Sequence, residues 1–289
     1  MDESLRKQLL HAQENEITEY GIYRSLAARE KDEQNRAVLN EIAEDERRHY
    51  EFWKEKTGED VEPRSWDRIK YTWLARLAGL TFAVKLMERG EERAEQNYSA
   101  LAEQLAGAAD IADDEGRHED ELLEMIDEQR LRYVGSIVLG LSDALVELTG
   151  ALAGLTLALG DGRLIAMTGL ITGIAASLSM AASEYLSTRA EQNQEKRAGL
   201  ASLYTGSAYV VTVSLLILPF LLVPVPLLAL AWSLAHAILI ILAFTFYVSV
   251  ARGTPFGHRF AEMAGLCLGV ALVSFGVGFL VRLLFGVDV

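Results

Sequence analysis

One cysteine occurs among 289 residues, and Cys267 falls inside an apolar stretch, so neither a disulfide framework nor a cysteine-held zinc or iron centre can be built. Proline is scarce too, five in all, with Pro63 in a linker and Pro219, Pro224 and Pro226 around one turnaround. No glycine-rich phosphate loop is present, which argues against ATP-driven pumping. The stretch from Met1 to Arg6 has no apolar h-region, so no cleaved signal peptide is expected. Basic residues are in deficit, 27 Lys and Arg against 41 Asp and Glu, and a chain of net charge −14 would be repelled by nucleic acid.

What is present is divided unevenly. Residues 1–133 hold 20 Lys and Arg against 33 Asp and Glu, whereas residues 134–289 hold 7 against 8, so almost all the net charge sits in the first part. From Val134 onward the chain offers apolar runs near 134–160, 164–186, 203–223, 227–250 and 260–285, each meeting the roughly 20 residues needed to cross a bilayer. An all-α chain is expected, with a soluble domain at 1–132 and a five-span membrane domain at 133–289. Arg130, Arg132, Arg189, Lys196, Arg197, Arg252 and Arg259 fall on one side of such a path, with only Arg163 and Arg282 on the other. The positive-inside rule then puts the acidic domain in the cytoplasm and the C-terminus outside, at the cell membrane.

Two of the five histidines close the same phrase, Glu46-Arg47-Arg48-His49 and Glu115-Gly116-Arg117-His118. Glu and His three apart share a helix face, and two such helices can hold a pair of metal ions if two more helices each donate a carboxylate. Glu16 stands seven residues before Tyr23 and thirty before Glu46, and Glu91 stands seven before Tyr98 and twenty-four before Glu115, so the half-site is written twice. Around the first copy, Leu9, Ala12, Glu16, Tyr20, Tyr23 and Ala27, then Val38, Ile42, Asp45, His49 and Trp53, recur at helical spacing on two helices joined near Lys31–Gln34. The remaining acids, Glu44, Asp45, Glu92, Glu95, Asp113, Asp114 and Glu119, read as a solvated face in preference to a path that guides cations. Residues 58–65 form a linker. In the helix expected at 66–78, Trp66, Arg68, Lys70, Tyr71, Trp73 and Arg76 interleave basic and aromatic side chains, which suits either the headgroup layer of a bilayer or packing against protein.

Residues 8–57 and 84–128, with this duplicated phrase, resemble the ferritin-like, rubrerythrin-type di-iron fold. The resemblance implies a cytosolic four-helix bundle in which Glu16, Glu46, His49, Glu91, Glu115 and His118 bind two metal ions. It makes Glu46 and Glu115 the bridges and Tyr23 and Tyr98 partners of the ligands. Carboxylates and imidazoles suit iron or manganese alike.

The first span carries Asp143 and Glu147 one turn apart, and an ionisable group there costs about 2.5–3.5 kcal/mol, so it points to function. With span one running outward and span two back, Asp143 and Met180 stand at similar depths, about 13 Å and 10 Å from the cytoplasmic end at about 1.5 Å per residue. Glu184 follows one turn nearer the cytoplasm. A carboxylate and a thioether together suit a dehydrated first-row divalent cation. The phrases Gly140-Leu141-Ser142-Asp143 and Ser179-Met180, with Glu184-Tyr185-Leu186-Ser187 completing the second, resemble the vacuolar iron transporter family, which includes the yeast vacuolar manganese and calcium carrier. Its members are five-span, dimeric, proton-coupled Fe²⁺/Mn²⁺ exporters, which implies Asp143 and Met180 as transport ligands with Glu147 and Glu184 in support. Residues 187–199 are a short loop where plant and fungal relatives carry a glutamate-rich insert. The pairing with a ferritin-like front resembles the bacterial membrane-bound ferritin type.

The expected function is therefore proton-coupled export of Fe²⁺ or Mn²⁺, with the di-iron domain capturing, oxidising or sensing the metal. A membrane-anchored di-iron ferroxidase or peroxide-consuming enzyme is the alternative.

Overall fold

A computed structural model describes residues 3–80, 82–87, 107–124, 133–190 and 197–285. Among these residues every regular element is a helix, and the chain divides into two compact units, Met1–Glu128 and Gln129–Val289. Glu91 and Tyr98 lie outside the described residues.

The first unit opens with α1 (Glu3–Ala27) and α2 (Glu33–Thr57), packed as a hairpin. Asp32 starts α2 by accepting from the backbone N–H groups of Gln34 and Asn35, and Gly58 ends it in the left-handed conformation, φ 71°, that glycine adopts without strain. The connection from Gly58 then leads to α3 (Ser65–Ala78), which packs on α1, and α4 (Ala108–Glu124) meets α2. Two apolar clusters hold the unit. One joins Ile22, Leu26, Leu39, Ile42 and Leu122, and the other joins Leu9, Trp53 and Ile111. Tyr23 is buried in the first of these.

The second unit contains α5 (Val134–Leu159), α6 (Gly162–Ala190), α7 (Ala198–Leu222), α8 (Pro226–Arg252) and α9 (Phe256–Phe285). All five are long and apolar enough to cross a membrane. Several run past the apolar limits read from sequence, α6 to Ala190 rather than 186 and α7 from Ala198 rather than 203, because a helix continues into polar residues after the hydrophobic window ends. Gly160 closes α5 at φ 64°, and the Asp161 carboxylate accepts from the backbone of Arg163 and Leu164 to begin α6. Cys267 is buried, sharing a hydrogen bond with Thr149.

Small residues decide how closely these helices meet. A Cβ on Gly140 would stand 2.2 Å from the Thr205 carbonyl oxygen, so only glycine lets α5 touch α7 there. Thr205 completes the contact by donating its hydroxyl to the Ser136 carbonyl, 2.9 Å away.

Candidate functional site

In the first unit the ligand-type side chains converge. Glu16 from α1, Glu46 and His49 from α2 and Glu115 from α4 each present one donor atom, all within 4.8 Å of one another. His49 Nδ1 lies 3.5 Å from Glu16, 3.7 Å from Glu46 and 3.5 Å from Glu115. His118 joins from α4, its Nδ1 3.3 Å from Glu46, and the two imidazole centroids are 6.0 Å apart. Glu16 and Glu46 are each 1% exposed, and buried carboxylates of this kind are costly unless a cation or a proton compensates them.

The arrangement is cross-braced. Asp45, the residue before Glu46, accepts from His118 Nε2 at 3.1 Å, and Asp114, the residue before Glu115, accepts from His49 Nε2 at 3.2 Å. A carboxylate can only accept, so each Nε2 carries the proton and each Nδ1 is turned into the cage. Arg117 donates to both Asp45 and Asp114, at 2.6 and 2.8 Å, and Arg48 pairs with Asp45 at 2.6 Å. The solvated-face reading of Asp45 and Asp114 is thereby corrected. Asp45 is 3% exposed and belongs to the support of the cage. Sequence reasoning also missed Trp53, whose indole N–H donates to Glu16 at 3.0 Å, although it stands four residues after His49 on the same inward stripe.

Titration behaviour follows this packing. Burial pushes Glu16 up to about 7, and burial raises Glu115 as well. His49 is raised, since burial alone would lower it but Glu115, Glu16 and Glu46 outweigh burial. His118 rises to about 9 against the same opposition, through Glu46 and Asp45. Asp45 and Asp114 move down: burial opposes ionisation, but His118 and Arg117 at the first and Arg117 and His49 at the second overcome it. Glu46 Oε2, His49 Nδ1 and His118 Nδ1 are buried without a hydrogen-bond partner among the described residues. Donor atoms that crowd into one buried space fit a cation that they would ligate jointly, and three carboxylates with two imidazoles suit iron or manganese.

The second unit disposes its acids differently. Asp143 is half-buried on α5, and Glu147, one turn on, is exposed on the single chain. The Tyr209 hydroxyl from α7 donates to Glu147 at 2.7 Å and lies within reach of Asp143 too, a role that sequence spacing did not reveal. Glu184 on α6 accepts from Ser136 on α5 at 2.5 Å. That bond sets the register of two antiparallel helices. Asp143 stands about 10 Å beyond Ser136 and Met180 about 6 Å beyond Glu184, so the two differ in depth by about one helical turn. Met180 is half-buried and packs against the core that includes Ala144 and Tyr209.

Residues 134–201, which are α5, α6 and the start of α7, match the model of the VIT, or vacuolar iron transporter, family. This stretch is therefore similar to a metal-ion transporter family, and it lies among five helices long and apolar enough to make a multi-pass membrane protein. No curated protein and no solved structure matches the chain.

Proposed function

We propose that this chain exports Fe²⁺, with Mn²⁺ as a second cargo, from the cytoplasm across the cell membrane in exchange for protons. The observation that carries the reading is the set of carboxylates within α5 and α6, inside the stretch that matches the VIT family. Asp143 and Met180 take the dehydrated cation, and Glu147 and Glu184 support them. When the cation leaves, each freed carboxylate takes up a proton, which restores charge balance in a medium that penalises bare ions. In this reading the first unit lies in the cytoplasm and the C-terminus outside, and the loop arginines support it through the positive-inside rule. Two copies acting as a homodimer would cover Glu147, which a single chain leaves exposed within a span.

The first unit serves the exporter as a ferritin-like bundle with a di-metal site. Glu16, Glu46, His49, Glu115 and His118, with Glu91 from outside the described residues, would hold the two ions, and Tyr98, also outside them, would partner the ligands. When bound, a di-iron pair supplies the redox chemistry that oxidises ferrous iron. The protein's own residues orient and desolvate it: Asp45 and Asp114 fix the imidazoles and Trp53 holds Glu16, while Tyr23 is buried in the apolar cluster around Ile22 and Leu39. By this means the unit captures, oxidises or senses the metal.

Everted membrane vesicles with an acidic lumen test the reading. Fe²⁺ uptake should follow the pH gradient in the wild type and be lost in Asp143→Ala. Absence of wild-type uptake, or unchanged uptake in that variant, overturns it. The cage geometry also favours a second reading, a membrane-anchored di-iron oxidase. That enzyme would consume Fe²⁺ with oxygen or peroxide at equal rates in wild type, Asp143→Ala and Met180→Ala, with no vesicle uptake.

A further inference from the structure

Helix α3 has two unlike faces. Tyr71, Thr72 and Ala75 turn inward, Thr72 buried and the other two packed on the cluster around Ile22 and Leu39. On the opposite face Trp66, Ile69, Trp73 and Leu77 follow one another at steps of three, four and four residues, which is a single helical stripe. Their exposures are 73%, 47%, 55% and 73%. One exposed leucine on a surface means nothing, but four large apolar side chains in a line, two of them tryptophan, form a patch that water does not favour.

Basic groups frame this stripe. Arg29, Arg68 and Arg76, with Ser25, Thr72 and Trp73, line a cleft of about 340 Å³ between α1 and α3. The Arg76 guanidinium lies 5.6 Å from the Trp73 ring centre, and the Arg68 stem lies across Gly21 of α1. Among the described residues no carboxylate pairs with any of these three arginines. Within α3 itself Arg68, Lys70 and Arg76 outnumber Asp67, in a part of the chain that is otherwise strongly acidic. A cationic cleft bordered by exposed indoles is complementary to a surface that is anionic at its edge and apolar beneath.

We propose that α3 docks on the bilayer that the second unit crosses. Trp66, Ile69, Trp73 and Leu77 enter the boundary of the acyl chains, and Arg29, Arg68 and Arg76 receive the phosphate of an anionic phospholipid headgroup. Because the same chain carries the helices that cross the bilayer, lipid stands at high effective concentration, so a shallow insertion suffices to keep the contact populated. The inference is independent of which ion the protein moves.

Full-length protein in nanodiscs of phosphatidylcholine, with or without phosphatidylglycerol and with brominated acyl chains, provides the test. Subtracting the fluorescence of a Trp66→Phe, Trp73→Phe variant removes Trp53 and Trp232 and leaves the two α3 indoles. With phosphatidylglycerol present, brominated lipid should quench most of this difference signal, and aqueous acrylamide should quench little of it. Arg68→Gln should lower the ratio of docked to undocked protein about fivefold, and Arg68→Lys should retain most of it. Quenching by acrylamide alone overturns the proposal by leaving the stripe in water. Protection from both quenchers overturns it in favour of a protein partner. Lipid quenching indifferent to phosphatidylglycerol and to Arg68→Gln overturns the headgroup site. All substituted positions are exposed, and an unchanged far-ultraviolet circular dichroism spectrum confirms that each variant is folded.

Discussion

The two units both carry carboxylates on packed helices, but they satisfy them in opposite ways. In the first, Glu16, Glu46 and Glu115 face one another and two imidazoles, and the surrounding Asp45, Asp114, Arg48 and Arg117 hold the whole set rigid. In the second, Glu147 and Glu184 each lean on one hydroxyl from a neighbouring helix, Tyr209 and Ser136. A braced cage suits retention, since many preoriented donors share one ion. Single hydroxyl partners suit passage, because such a bond can be exchanged for a cation or a proton at little cost. The difference teaches that, on the proposed function, the same residue type would serve storage or transit according to how many fixed partners surround it.

The contrast can be broken most sharply by removing the cage. Glu46→Ala combined with His49→Ala should abolish metal retention by the first unit while Asp143→Ala leaves it intact, as elemental analysis of the purified full chain would show. Equal losses in both variants would erase the division of labour. Next in size, Asp45→Asn should weaken metal binding about 10–100-fold in chelator competition, and Asp114→Asn should act likewise, since each supports the other helix's histidine. Tyr209→Phe removes a hydrogen bond to a charged group, worth about 1.5–3 kcal/mol, so Fe²⁺ flux should fall roughly tenfold with retention in the first unit unchanged.

The smallest effect is a pH dependence of the metal-free protein. Glu16 is raised from 4.5 to about 7 and His118 from 6.5 to about 9. A raised group contributes stability that is complete below its unfolded value and is lost as pH climbs through its folded value. The first unit without metal should therefore lose stability between about pH 4.5 and 9. Asp45 and Asp114 shift the other way, and their contribution is lost only under more acidic conditions. Added Mn²⁺ replaces the displaced protons, so the gain in Tm that it gives should grow with pH over this window. A gain that shrinks with pH would contradict the cage.

Much of this was legible in the chain. The five apolar helices follow from composition and length alone, and the meeting of Glu16, Glu46, His49 and Glu115 follows from a phrase written twice at helical spacing. The bracing was not legible. Asp45 and Asp114 look like any acids on a charged helix, and their pairing depends on how α2 and α4 are rotated against each other, which periodicity does not encode. Tyr209 was hidden for a related reason: it is 62 residues from Glu147, and only the packing of α7 on α5, close at Gly140, brings the two together.

The crossing of Asp45 to His118 and Asp114 to His49 has a consequence for engineering. Neither Glu-x-x-His phrase steers its own histidine; each steers the other's. A change beside one phrase is therefore felt at the histidine of the other. A designer who transplants one copy into a foreign helix hairpin should expect an unsteered histidine unless the complementary copy travels with it.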